Sequence, residues 1–192
     1  MAVKNTADEV THPARAGTGP LLCVSPLEPG KGIEMLLTAV GLLSDDRPAL
    51  RLEIVGAGSL ASALRQQAGA LGLEDRIRFR GPLPPAEVRT ALRRCAMLVL
   101  PRPIEDSYGR YGFSTLLVDA MAAGTPVVTT DVVGVPNMVR SDTTGMLVAR
   151  DHAAGLALGI ATLLEDPVRA AGIGAAGRRL IARMHGRDAL AR

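Results

Sequence analysis

Two glycine-containing loops of this chain carry the residue types that bind phosphate. The longer loop opens the stretch EDSYGRYGFSTLLVDAMAAGTPVVTTD, residues 105–131, which predicts a loop, a helix from Ser114 to Ala123 and a short buried strand. A loop that turns into a helix presents unpaired N–H groups and the positive end of the helix dipole, and both favour a bound phosphate. In the shorter loop, SPLEPGKG, Lys31 stands at the entrance of a predicted helix.

The elements that must position these loops alternate along the chain. Short apolar runs predict strands, and segments with apolar residues three and four apart predict helices between them. Leu60, Leu64, Ala68 and Leu71 share one face of such a helix, and two last helices are predicted between residues 152 and 184. The predicted strands are LLCVSPL, ALRLEIVGAG, RIRFRG, AMLVLP, PVVTT and TGMLV.

This alternation, with connections of only a few residues, predicts an α/β fold. Parallel βαβ units would form a doubly wound, Rossmann-like open sheet. In such sheets ligands bind at the carboxyl ends of the strands. The loops SPLEPGKG, GAGS, RGPLP and EDSYGRYG all follow predicted strands, so we expect them to meet at that edge.

The length of 192 residues favours one folded domain over residues 20–192, preceded by a flexible lead-in over residues 1–19. No apolar run approaches the length that spans a bilayer, and the first residues lack the apolar centre of a secretory signal, so we expect a cytoplasmic protein. The basic segment RRLIARMHGRDALAR leaves contact with the inner membrane face as an alternative. Its apolar residues Leu180, Ile181 and Met184 are more simply interpreted as packing on the sheet.

The composition argues against several other classes of protein. The net charge of +3 comes almost wholly from arginine, and no basic stripe interleaved with aromatic residues supports nucleic-acid binding. Cys23 and Cys95 lie in apolar segments and are expected to be buried free thiols. The three histidines lack metal-ligand spacing, so we expect no metal site and no bound cofactor.

The Gly56-Ala57-Gly58 sequence is similar to the start of a dinucleotide-binding fingerprint, but the rest of that motif is missing. No third glycine has the required spacing, and the glycines follow the second predicted strand instead of the first. This argues against a nicotinamide-dependent enzyme and favours a tight turn. The SPLEPGKG loop also differs from a Walker A motif, because no Ser or Thr follows Lys31.

The order of the motifs nevertheless resembles that of a known family. A KG loop, VGAG, FRG, LVLP, YGFSTLLVDAMAAGTPVV, GVPNMV and TGMLV follow one another as in the C-terminal half of retaining glycosyltransferases of the family-4 type, the glycosyl transferases group 1. The resemblance covers residues 21–181. These enzymes are hexosyltransferases of GT-B architecture, with two Rossmann-like domains facing across a cleft, and this chain is similar to the donor-binding half.

The resemblance implies a function and a set of site residues. The function is transfer of a sugar, with retention, from a UDP-, GDP- or ADP-sugar to a hydroxyl acceptor, which requires an N-terminal acceptor domain or a partner chain. A domain of this kind would be inactive by itself. The family's diphosphate-binding lysine matches Lys31, and its nucleobase-binding loop matches residues from Gly81 to Leu83. The helix entrance that binds the phosphates through backbone N–H groups matches Gly112, Phe113 and Ser114.

The departures from the family pattern fall in the site. The family's second phosphate cation, an arginine in a G-R-L run, is replaced by Pro26. The paired glutamates, one near the transferred sugar and one on the ribose, match Tyr111 and Asp119, so that only Asp119 keeps a carboxylate. Glu105 or Asp106 could replace the other carboxylate. The acidic residue of the G-G-x-P-E loop is also absent, because residues 133–137 read VGVPN.

Three alternatives follow from these departures. The chain could be a degenerate, non-catalytic nucleotide-binding or partner module of the same fold. It could be another enzyme of this architecture, such as a nucleotide-sugar epimerase, although the loops contain few His and Glu residues. The aromatic residues of the long loop could also form a plug at the sheet edge, with Asp119 paired to a neighbouring arginine; these residues are Tyr108, Tyr111 and Phe113.

Overall fold

The computed structural model describes residues 18–101, 115–131 and 138–190. Strands and helices alternate through these ranges. The strands are β1 (Leu21–Val24), β2 (Leu52–Val55), β3 (Ile77–Gly81), β4 (Met97–Leu100), β5 (Val127–Thr130) and β6 (Met146–Val148). The helices are α1 (Ile33–Ser44), α2 (Ala61–Ala70), α3 (Pro85–Arg94), α4 (Thr115–Ala123), α5 (Ala153–Glu165) and α6 (Pro167–Leu190).

The strands form one parallel sheet in the order β3-β2-β1-β4-β5-β6. The chain winds outward in one direction from β1 to β3, then returns to the middle of the sheet and winds the other way from β4. This confirms the predicted doubly wound α/β fold. The reversal lies between β1 and β4, and the carboxyl ends of strands at such a reversal form a crevice that can hold a ligand.

Both faces of the sheet are covered by helices, which explains the continuous apolar runs of the strands. Leu21 and Cys23 point into a core formed with α1, α2 and α5, whereas Leu22 between them points into a second core with α3 and α4. Helix α6 contributes to both cores, through Ile173 to the first and Ile181 to the second. This alternation follows from the two-residue period of a strand.

Two details of the sequence predictions are settled by this packing. Leu64 and Ala68 of α2 are buried as predicted, but Leu71 is 38% exposed because α2 ends at Ala70, and its side chain lies at the edge of α1 near Gly41. The apolar residues of α6 pack against the second core, as the simpler interpretation of this segment predicted. They are Leu180, Ile181 and Met184.

The two cysteines are free and buried, as predicted. Burial raises the pKa of each thiol to about 12. Within the described part of the chain, no helix is both long enough and apolar enough to cross a membrane.

Candidate functional site

A tight turn at the end of β1 presents Lys31. Pro29 and Gly30 form the centre of the turn, and the N–H of Lys31 donates to the carbonyl oxygen of Glu28 at 3.3 Å. Gly30 has a φ of 80°, the left-handed value that the third residue of a type II turn requires. Proline before glycine is the sequence signature of that turn, so the local sequence fixes its shape.

Helix α1 begins directly after Lys31 and lacks a side-chain cap. Its N-cap residue, Gly32, has a φ of 75° and no side chain that could accept from the first turn. Because the first intrahelical bond runs from Leu36 to Gly32, the N–H groups of residues 33–35 have no acceptor within the described residues. These donors and the helix dipole form a site suited to an anion.

The Lys31 side chain adds a full positive charge beside this helix end. It is half-buried and makes no hydrogen bond or ion pair with any residue in the described ranges. An ammonium group without a carboxylate partner keeps all three of its donors for a ligand. The structure therefore places Lys31 where the sequence predicted, at a strand-to-helix turn on the carboxyl edge of the sheet.

The β1–α1 loop is attached to the β2–α2 loop beside it. The N–H of Leu27 donates to Ala57 (2.9 Å), and the N–H of Leu60 donates to the carbonyl of Leu27 (2.9 Å). The carboxylate of Glu28 accepts from the N–H of Ser59 (2.9 Å) and also from its hydroxyl. The Ser59 hydroxyl, and after it the Ser59 N–H, hold the pKa of Glu28 below its usual value.

This attachment explains the Gly56-Ala57-Gly58 sequence. A Cβ at Gly58 would lie 2.3 Å from the carbonyl oxygen of Leu27, and one at Gly56 would lie 1.9 Å from that of Ser25. The glycines are thus required where two backbones approach. The start of α2 already holds the carboxylate of Glu28, which agrees with the interpretation of this sequence as a tight turn.

The loop after β3 leaves one backbone donor free. It consists of Pro82, Leu83 and Pro84, and the prolines have no N–H. The N–H of Leu83 makes no hydrogen bond within the described residues, while its side chain is partly buried against the second core. Gly81 has a φ of 71°, and its carbonyl oxygen accepts from the N–H of Gly56 at 2.9 Å, so this loop adjoins the other two.

Asp119 lies in the second turn of α4 and is half-buried. Its carboxylate makes no hydrogen bond or ion pair with the described residues, so the expected alternative of a partner arginine is not found there. An unpaired carboxylate of this kind can accept hydrogen bonds from ligand hydroxyl groups.

Several predicted site residues lie outside the described residues. They are Glu105, Asp106, Tyr108, Tyr111, Gly112, Phe113 and Ser114, together with residues 133–137. Their predicted roles remain predictions. At the described border of this region, the hydroxyl of buried Thr130 donates to the carbonyl of Pro101 at 2.8 Å, which fixes the point where the chain leaves β4.

Sequence reasoning missed Glu28 and Ser59. The two residues are 31 positions apart, and neither belongs to a motif that requires the other. The only local signal was Ser59 itself, because a serine that follows a glycine turn commonly marks the N-terminal end of a helix.

A second concave region lies at the opposite edge of the sheet. This groove of about 870 Å³ is bordered by the C-terminal ends of α3 and α4 and by α6, with apolar residues such as Leu92, Pro126 and Ala171 in its wall. Its charged lining groups are arginines, Arg93, Arg178 and Arg179. It contains none of the predicted site residues and lies at the amino ends of the strands, away from the edge where such sheets bind ligands.

The sheet order and the polar carboxyl edge define this protein as a doubly wound α/β domain whose carboxyl edge carries Lys31 beside the uncapped start of α1. Its family is shown by sequence. Residues 19–166 match the model for glycosyl transferases group 1, and the chain belongs to that family.

The chain is similar to larger proteins of this family. It is 33% identical over 162 residues to the D-inositol 3-phosphate glycosyltransferase of Streptomyces avermitilis, a match that covers 80% of this chain and 34% of the relative. It is also 33% identical over 173 residues to the glycogen synthase of Mycobacterium tuberculosis, covering 88% and 40%. The chain therefore spans between a third and two fifths of the length of these relatives.

Solved structures give the same fold. HepE of Anabaena in complex with UDP-glucose aligns with a TM-score of 0.73 at 25% identity, over 86% of this chain and 44% of HepE. The C-terminal domain of the group 1 glycosyl transferase LpcC of Francisella tularensis aligns with a TM-score of 0.75 at 19% identity, over 87% of this chain and 88% of that domain.

Proposed function

We propose that this chain is the donor-binding domain of a retaining glycosyltransferase, which moves a sugar from a nucleoside diphosphate sugar to a hydroxyl acceptor. The observation that carries the proposal is the position of Lys31, which has no ion-pair partner among the described residues, beside the uncapped start of α1 at the carboxyl edge of the sheet. Family membership and the UDP-glucose complex of HepE support the choice of ligand.

Each described group has a role in this proposal. Lys31 and the N–H groups of residues 33–35 bind the diphosphate and stabilise the negative charge that develops on it as the sugar leaves, which is usually a large part of catalysis. The N–H of Leu83 binds the nucleobase, and Asp119 accepts from the ribose hydroxyls. Gly112, Phe113 and Ser114 are proposed as the second phosphate contact, with Tyr111 and Glu105 nearest to the sugar.

The acceptor and the groups that orient it would lie on an N-terminal domain or a partner chain. This part of the proposal is supported by the length of the relatives and by the match to a C-terminal domain that was crystallised by itself. We expect no sugar transfer by this chain alone, and measurable transfer would contradict a division of the active site between two domains.

Calorimetric titration with UDP, GDP and ADP tests the binding proposal. We expect one of the three to bind with micromolar affinity. The Lys31→Met variant should bind it 10- to 150-fold more weakly, since a hydrogen bond to a charged group contributes roughly 1.5–3 kcal/mol. Arg94→Met removes the same charge from the last turn of α3, at the opposite edge, and should change the affinity by less than about twofold.

A second candidate is a non-catalytic nucleotide-binding or partner module of the same fold. It is favoured by the β1–α1 loop, where Pro26 stands in place of the second phosphate-binding cation, so that Lys31 is the loop's single basic residue. The neighbouring Ser25 is only 6% exposed. If none of the three nucleotides binds to the unmodified chain, the donor-binding proposal fails and a partner module remains.

We also propose a cytoplasmic location. The two buried, unpaired cysteines support it, because thiols persist where disulfides are kept reduced. Contact with the inner membrane face is the weaker alternative, since the apolar residues 180, 181 and 184 of α6 are used in core packing.

A further inference from the structure

We infer that Glu28 is a positioning residue for Lys31: its carboxylate clamps the phosphate-binding turn to the start of α2 and thereby sets the affinity for a diphosphate. This inference rests on the proposed nucleotide binding and adds a residue to it. Glu28 does not contact the ligand in this scheme. It acts through the geometry of the four-residue turn that begins with Glu28 itself.

Few other contacts hold the turn between Leu27 and Ile33. Leu27 is 2% exposed and is bonded on both sides, and Ile33 is fully buried in the first core. Between these two anchors, Pro29 and Gly30 are exposed and Lys31 and Gly32 are half-buried. The side chains of this interval make no hydrogen bonds in the described structure apart from those of Glu28.

A direct covalent and hydrogen-bonded path connects Glu28 to Lys31. The carbonyl oxygen of Glu28 accepts the N–H of Lys31, so the two residues are the ends of one turn. When the carboxylate of Glu28 is held by Ser59, the first peptide of the turn is fixed in orientation relative to the sheet. Lys31, at the other end of the same turn, is then held beside the start of α1.

The contact between Glu28 and the β2–α2 loop is closely packed. The β2–α2 loop approaches so near that a Cβ at Gly58 would lie 2.7 Å from Oε1 of Glu28. The carboxylate receives two donors from a single residue, one from the backbone and one from the hydroxyl of Ser59. A carboxylate held by two donors is restricted in rotation, whereas a solvated glutamate on a loop is not.

The experiment compares a nucleoside diphosphate with its own nucleoside. The probe is whichever of UDP, GDP and ADP binds the unmodified chain most tightly. Its binding is measured by calorimetry and, for weak complexes, by NMR titration. We expect Glu28→Ala to weaken diphosphate binding about five- to tenfold and nucleoside binding by less than twofold, since only the diphosphate needs the placement of Lys31. Glu28→Gln keeps one acceptor for the Ser59 N–H and should give an intermediate loss.

Two further variants separate positioning from a general structural effect. In a Lys31→Met background, Glu28→Ala should weaken diphosphate binding by less than twofold, because the group that Glu28 positions is gone. Glu74→Ala removes an exposed carboxylate from the amino edge of the sheet and should leave both affinities unchanged. Thermal unfolding of Glu28→Ala should remain within a few degrees of the unmodified chain.

Each result decides between the two proposals. If the unmodified chain binds no nucleotide, the proposed function fails and the role of Glu28 fails with it. If the chain binds a diphosphate but Glu28→Ala binds it equally well, only the inference is overturned. The same holds if the loss appears equally for the nucleoside, or if it persists in full when Lys31 is methionine.

Discussion

Replacing Gly174 by alanine should destabilise the protein, although alanine is the better helix former. Gly174 lies in α6, where a Cβ would be 2.1 Å from the carbonyl oxygen of Gly124 and 3.0 Å from its carbonyl carbon. Real Cβ atoms do not approach closer than about 3.0 Å to such atoms, so α6 must move away by about 0.9 Å. The obstacle is backbone, which cannot rotate aside as a flexible side chain can.

The displacement reaches the second core. One turn further along α6, Gly177 packs on Met121 of α4, where a Cβ would be 3.4 Å from the Met121 Cε, an ordinary van der Waals distance. Overpacking of the kind that a Cβ at residue 174 would produce against the Gly124 carbonyl costs about 1–3 kcal/mol. The gain from removing a helical glycine, about 0.5–1 kcal/mol, offsets only part of this cost. We therefore expect a net loss of roughly 1–2 kcal/mol, or about 2–8 °C in Tm for a domain of this size.

Gly172→Ala, two residues away in the same helix, is the matched control. A Cβ there has no neighbour within 4 Å, so the helix preference acts alone and should raise stability by about 0.5–1 kcal/mol. Urea unfolding followed by circular dichroism measures both variants, with equal m-values required for the comparison. If Gly174→Ala proved as stable as Gly172→Ala, the close approach of α6 to the loop after α4 would be refuted.

The cysteines and Glu28 give two more predictions. At pH 8 a thiol with a pKa of about 12 is thiolate roughly a thousandfold less often than an ordinary cysteine, so Ellman's reagent should modify native Cys23 and Cys95 only as the protein opens. Cys95 should react first, because it is 7% exposed whereas Cys23 is fully buried. Rapid labelling of native Cys23 would contradict its burial. The pKa of Glu28 is lowered in the folded state, so its stabilising contribution is complete above the usual glutamate pKa of about 4.3 and is lost as the pH falls through the lowered value. The stability difference between the unmodified chain and Glu28→Gln should therefore shrink below about pH 4 in urea unfolding curves, and a difference that grows with acid would show the sign to be wrong.

The candidate anion site was predictable because its parts are local. Proline before glycine specifies the turn, glycine supplies the left-handed backbone at residues 30 and 32, and the apolar spacing that starts at Ile33 specifies the helix. The position of Lys31 at the entrance follows from these residues alone. The role of residues 112–114, predicted from a second local pattern and from the family resemblance, stays a prediction.

The sequence by itself determined the elements, their alternation and hence the parallel doubly wound sheet, because hydrophobic periodicity and short connections leave few other arrangements. It did not determine which side chains meet across loops. Only the tertiary structure brought Glu28 to Ser59, left Asp119 without a partner in the described region and placed Gly174 against Gly124. Such contacts depend on the distance between separate elements, which is set by the packing of the two cores and leaves no periodic pattern in the chain.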